Sequence, residues 1–111
     1  MAMPLASKTI YAHEKATDSI TKVTLTLGLP EEVHEGKWRV TWRIDLNDEA
    51  GTELYVAGRD AWQGLMLAIP LLESEAKRRF RKKNVTFHFT REAAEQQIRE
   101  VFLDELFPES Y

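Results

Sequence analysis

The chain contains no cysteine. That excludes disulfide frameworks, thiol catalysis and cysteine-ligated zinc or iron–sulfur sites. Glycine and proline are sparse, five and four in 111 residues. The glycines are scattered, so there is no glycine-rich phosphate loop, and no low-complexity linker divides the chain. Long apolar runs are missing too. The longest nearly uncharged stretch, residues 61–72, is interrupted by Gln63, Gly64 and Pro70, far short of the roughly 20 apolar residues of a membrane-spanning helix. The segment from Met1 to Lys8 lacks the basic start and apolar core of a signal peptide. A cytoplasmic protein is the expectation.

Catalytic motifs are equally scarce. The three histidines are His13, His34 and His88. His13-Glu14 opens a metalloprotease-like pattern, but the second histidine ligand does not follow. Ser7, Ser19, Ser74 and Ser110 lack the Gly-x-Ser-x-Gly elbow of a nucleophilic serine. Glu73 and Glu75 point to different sides of a helix. No metal, no cofactor and no catalytic residue is assigned from the sequence, and a non-enzyme is expected.

What is present is a globular composition: 43% hydrophobic, 30% charged and 10% aromatic residues, enough to bury one core. The chain reads as a single α+β domain over residues 1–111. Residues 8–13, with Ile10 and Tyr11, read as a short first strand; after a polar turn, residues 20–27 alternate in strand fashion and are closed by Gly28 and Pro30. Residues 31–37 read as an acidic loop. Residues 38–46 give the clearest strand: Trp38, Val40, Trp42, Ile44 and Leu46 on one face, Arg39, Thr41, Arg43 and Asp45 on the other. A turn at 47–51 and a strand at 52–57 complete a hairpin. Asp60 and Gln63 form a capping box for a helix reaching Lys82 or Lys83. Its packing stripe is read as Trp62, Leu65, Met66, Ile69, Leu72, Ala76 and Phe80, with a kink from Pro70. A short edge strand from Val85 to Phe89 follows, then a helix capped by Thr90 that runs until Pro108. The expected order is β-β-β-β-α-β-α: a mostly antiparallel sheet of four to five strands against two helices.

Charge is segregated. Six of the fifteen basic residues lie in one seven-residue run, Lys77, Arg78, Arg79, Arg81, Lys82 and Lys83, and all eighteen acidic residues lie outside it. The plain reading is a helix end stabilised by the helix dipole; the sharper one is an anion or nucleic-acid patch, centred on Lys77, Arg78, Arg81, Lys82 and Lys83. Acidic residues gather in the loop at Glu31, Glu32 and Glu35, and along one face of the last helix at Glu95, Glu100 and Asp104. These are either wet surface or a docking face for a basic protein partner.

The stretch from Gly36 through Trp38 and the hairpin to Gly58, Asp60, Gln63, Leu65 and Ala68 resembles an uncharacterised family of small bacterial proteins. In these a Trp-bearing strand and a hairpin lead into a helix opened by Gly-x-Asp. The resemblance implies bacterial origin and an α+β fold, not an activity. Three functional expectations follow. The first is a non-enzymatic protein-binding module of immunity or inhibitor type, using the acidic groups. The second is a nucleic-acid-associated protein using the basic run. The third is a small-ligand or enzyme pocket near Trp38, Trp42 and Tyr55. A homodimer through the strand from Val85 to Phe89 is compatible with each.

Overall fold

The computed structural model describes residues 3–81 and 84–107. β1 (Pro4–Glu14) and β2 (Ser19–Gly28) form a long antiparallel hairpin. Its alternation sorts two faces: Ile10 lies opposite Val23, while Thr9 faces Thr24 and Tyr11 faces Lys22 on the other side. Asp18 makes the turn with φ of 54°, a left-handed conformation that Asp tolerates better than most residues.

The acidic stretch expected as a loop is instead a strand, β3 (Glu31–His34), so the sheet has six strands rather than four or five. Leu29 and Pro30 interrupt the chain because proline offers no N–H to a ladder. Pairing then resumes on the same neighbour. β4 (Lys37–Leu46) takes β2 along residues 42–46 and β3 along residues 37–39. β5 (Leu54–Gly58) pairs with β4 from Trp38 to Trp42. Since β3 and β5 both pair with Trp38 and Arg39, they flank β4 on opposite sides. β6 (Val85–His88) joins the far side of β1. Across the sheet the order is β5, β4, β2 with β3, β1, β6, all antiparallel.

α1 (Ala61–Phe80) lies across β4 and β5. Asp60 caps it as its spacing predicts: Asp60 Oδ1 accepts from the Gln63 N–H at 2.7 Å, and Gln63 Oε1 accepts from the Arg59 N–H at 2.7 Å. The helix buries Gly64, Ala68, Leu72 and Ala76, every fourth residue. Small residues let it sit close. A Cβ on Gly64 would meet Val40 Cγ2 at 2.7 Å, and one on Gly58 would meet the Gly64 nitrogen at 2.6 Å. Beneath it Ile10, Val23, Leu25, Val40, Trp42 and Ile44 form the core, each such side chain contributing about 1.5–3 kcal/mol by its burial. Phe80 meets Phe87 edge-on at 5.2 Å.

The stripe inferred from sequence is corrected here. Trp62 is 73% exposed and Met66 is exposed as well, because the small-residue face, not the tryptophan, meets the sheet. α1 runs unbroken through Pro70. The carbonyl of Met66, which loses its usual partner there, lies on the wet side, where water can satisfy it.

The expected long terminal helix is also corrected. α2 spans only Arg91–Glu95, capped by Thr90 Oγ1 accepting from the Ala93 N–H at 3.0 Å. Gln97 adopts φ of 54°, and the Ile98 and Gln97 N–H groups return to the Ala93 and Ala94 carbonyls. That is a Schellman ending. Arg99 is left-handed too. Val101 then bridges to β6, donating its N–H to the Phe87 carbonyl at 2.7 Å, and a 3₁₀ turn (Leu103–Leu106) follows.

The two helices occupy opposite faces. Phe87 faces the α1 core, so His88 points the other way, and its Nδ1 lies 2.6 Å from the Ile98 carbonyl just beyond α2. Arg91 on α2 sits over Tyr11, the cross-strand neighbour of His88. The segment after α2 therefore passes around the β6 edge and reaches the α1 side. Among the described residues no helix is long and apolar enough to cross a membrane.

Candidate functional site

The basic run occupies the last turns of α1, and its described members are largely paired in place. Lys77 Nζ reaches Glu73 at 2.8 Å and Asp104 at 2.5 Å. Its hydrogen bond to Asp104, aided by Glu73, holds the ammonium above its ordinary pKa. Arg78 grips both oxygens of Glu75 at 2.6 and 3.0 Å, and Arg79 adds a contact at 3.2 Å. The Arg78 bond pulls the Glu75 carboxyl below its usual range, against a smaller opposing effect of burial, and Glu75 raises Arg78 in return. Arg81 is exposed; Lys82 and Lys83 lie outside the described residues. With Lys77, Arg78 and Arg79 already facing carboxylates, less of the cluster's charge is available to a phosphate.

The acidic residues do not form one surface. Glu31 and Glu32 belong to β3 and Glu35 to its turn, and Glu31 approaches Arg39 at 3.8 Å. Glu95 ends α2, Glu100 follows the left-handed Arg99, and Asp104 is taken by Lys77. α2 sits over the sheet at Tyr11, whereas β3 begins beyond the pairing of Pro4 with Gly28. Seven residues of strand, about 23 Å, separate these positions. Reading Glu95, Glu100 and Asp104 as one helix face is corrected, because no single helix carries all three: Glu95 ends α2, Glu100 lies between the two elements and Asp104 sits in the 3₁₀ turn; a left-handed residue on a non-glycine side chain leaves no mark in composition.

The aromatic site is dispersed as well. Trp42 is 6% exposed, packed into the core, and Trp38 is half-buried four residues away along β4. Tyr55 opposes Thr41 and so faces the other side of the sheet, under Arg39 at 5.9 Å. A cleft of about 210 Å³ lies elsewhere, between β1, β2, α1 and the 3₁₀ turn, lined by Leu25, Leu27, Ile69, Leu72, Leu106 and Phe107 among others.

Two of the three histidines, His13 and His88, are buried in the second face. His88, 1% exposed, places Nδ1 against the Ile98 carbonyl and Nε2 2.9 Å from Thr86 Oγ1. A carbonyl only accepts, so Nδ1 carries the proton. His13, 3% exposed, places Nε2 2.6 Å from Asp18 Oδ1, and its buried Nδ1 has no protein partner among the described residues. These contacts fasten the β1–β2 turn and the segment after α2. Among the described residues no group of three His, Asp or Glu side chains is placed to hold a metal.

The feature that the sequence reading missed is the outer face of α1. From residue 61 to residue 72 the helix carries no charge, yet Trp62, Met66, Leu67 and Leu71 are all exposed. Trp62, Met66 and Pro70 form one ridge at a spacing of four; Leu67 and Leu71 form a second. The signal was available in the small residues Gly64, Ala68 and Ala76, whose spacing marks the close-packed side and leaves the large apolar residues outside. Contiguous exposed apolar surface is what interaction sites are commonly built from, and tryptophan is among the residues that most often anchor such contacts.

The curated proteins and the solved structures contain no match to this chain. A family model, described as a domain of unknown function (DUF6968), matches residues 6–97. That span holds β1 from its third residue, the other five strands, α1 and α2, and stops short of Val101 and the 3₁₀ turn. Covering well over half of the sequence, it establishes that the chain belongs to the DUF6968 family.

Proposed function

We propose that the protein is a non-enzymatic protein-binding module of immunity or inhibitor type, acting in the cytoplasm by covering a surface of a partner protein. The observation that carries this reading is the exposed ridge of Trp62, Met66 and Pro70 on a helix that is firmly seated on the sheet. A rigid helix presents large apolar side chains at little entropic cost to binding. The ridge is followed along α1 by Lys77, and at its start by Arg59 and Asp60. An apolar centre with a charged rim is the usual anatomy of a protein interface. The acidic tip at Glu32 and Glu35 lies on a different element and would serve as a steering charge for a basic partner rather than as the centre of contact.

The test uses the full chain as bait in lysate of its native host, alongside Trp62→Asp. The reading expects a stable partner retained by the wild type and lost by the variant. With the partner purified, its activity falls on stoichiometric addition of wild type and persists with Trp62→Asp. Failure to retain any protein, or retention unaffected by Trp62→Asp, would refute it.

A further inference from the structure

The two edges of the sheet are treated differently. The outer side of β6 receives Val101 and the chain that wraps past it. β5, at the opposite edge, pairs with β4 alone among the described residues. Its sequence, Leu-Tyr-Val-Ala-Gly, has no lysine, proline or other charge, and its pairing with β4 has no bulge. Those are the devices that normally blunt a free edge. Leu54 and Tyr55 on it are exposed.

We infer that β5 is a homodimer interface, pairing antiparallel with β5 of a second copy about a two-fold axis through Val56. Three observations specify this occupant. The first is charge. A pairing centred on Val56 sets Tyr55 against Ala57 of the second copy, and brings Glu53 of each chain opposite Arg59 of the other. The strand is thus bracketed by opposite charges that match only in the antiparallel, self-complementary arrangement. Glu53 also approaches Arg43 of its own chain at 3.8 Å, and one carboxylate can serve both cations.

The second observation is spacing. α1 rests over β4 and β5. With strands about 4.8 Å apart, α1 and its mate on the same face of the joined sheet would lie about 10 Å apart, the separation at which helices pack. The third is the helix flank turned toward that gap. Lys77 and Ile69 mark the side of α1 that faces the 3₁₀ turn and β2. Leu67 and Leu71, exposed, lie around the helix toward the β5 edge. The dimer covers this ridge and leaves the Trp62 ridge, on the other flank, free for a different protein.

Sedimentation velocity of the full chain from low micromolar to submillimolar concentration tests the interface. The wild type is expected at twice the 12.9 kDa chain mass. Arg59→Glu sets two pairs of carboxylates against each other and is expected to weaken the dimer about tenfold or more. Glu53→Arg combined with Arg59→Glu restores the pairing with its signs exchanged. Leu67→Glu with Leu71→Glu, on the exposed flank, is expected to give monomers whose circular dichroism matches the wild type. A wild type that stays monomeric throughout overturns the inference. So does a dimer that ignores both Arg59→Glu and the Leu67/Leu71 double variant. Trp62→Asp should leave the dimer intact, so failure of this interface and failure of the proposed partner-binding role are read separately.

Discussion

Two tryptophans of opposite burial give the sharpest test of how α1 sits. Trp42 and Trp62 have the same chemistry but are 6% and 73% exposed. A tryptophan buries up to about 250 Å² when enclosed; Trp62 withholds only about a quarter of that from water. At about 25 cal/mol per Å² this is at most about 1.5 kcal/mol, an upper bound because the unfolded chain also buries some surface. Trp42→Ala removes a fully packed ring and leaves a cavity under α1, which costs about 3–5 kcal/mol. Urea denaturation followed by far-ultraviolet circular dichroism should therefore place Trp42→Ala far below wild type and Trp62→Ala within about 1.5 kcal/mol of it. Acrylamide should quench the Trp62 fluorescence most strongly, and the Trp62→Ala variant should lose that quenchable component. Equal destabilisation by the two substitutions would refute the geometry, since it would mean that the tryptophan, and not the Gly64–Ala68–Ala76 face, meets the sheet.

Further outcomes follow from individual contacts. His88→Phe keeps the ring but removes the donor to the Ile98 carbonyl; it should cost about 1–3 kcal/mol and speed amide exchange at Val101, seen by hydrogen-exchange mass spectrometry. Gln97→Gly relieves a left-handed backbone and should raise stability by up to about 1 kcal/mol in the same denaturation assay. Glu75 has its carboxyl pulled below the ordinary value of 4.5 by Arg78. A lowered folded pKa contributes stability that is present above the unfolded value and is lost as pH falls through the folded one. Glu75→Gln should therefore be less stable than wild type by under about 1 kcal/mol at neutral pH. The difference should shrink below pH 4.5, and a gap that persists in acid would assign the effect to packing instead.

The parts of the fold that were legible in the sequence are those set by neighbouring residues. Alternation marked the hairpin of β4 and β5, and the side chains of Asp60 and Thr90 capped the helices they precede, because a cap is satisfied within three or four residues. β3 was hidden: Pro30 and three glutamates argue for a loop, and only the continued register on β4 makes residues 31–34 a strand. The phase of α1 was ambiguous because residues 61–72 are apolar on nearly every side, so periodicity alone could not say which side is covered. α2 was overextended because its stop signal is a glutamine in a conformation usually announced by glycine. The pairing of charges across the fold is tertiary and was not legible in the chain. Lys77, read with the basic run, and Asp104, read with the acidic group, are each other's partner.

The sheet is a meander in which each strand finds its neighbour soon after leaving the last, with one exception. β6 returns across α1 to pair with β1, joining Tyr11 to His88. Local hairpins close quickly, whereas this pairing waits for a long loop to be drawn in. The β6 seam is thus expected to zip last during folding, which pulsed hydrogen exchange at residues 85–88 would check, and a transient opening there would bare the flank of β1. The short stitch of Val101 against Phe87 lies at that seam, and a contact made after the seam has closed is expected to slow its unzipping more than it hastens its formation.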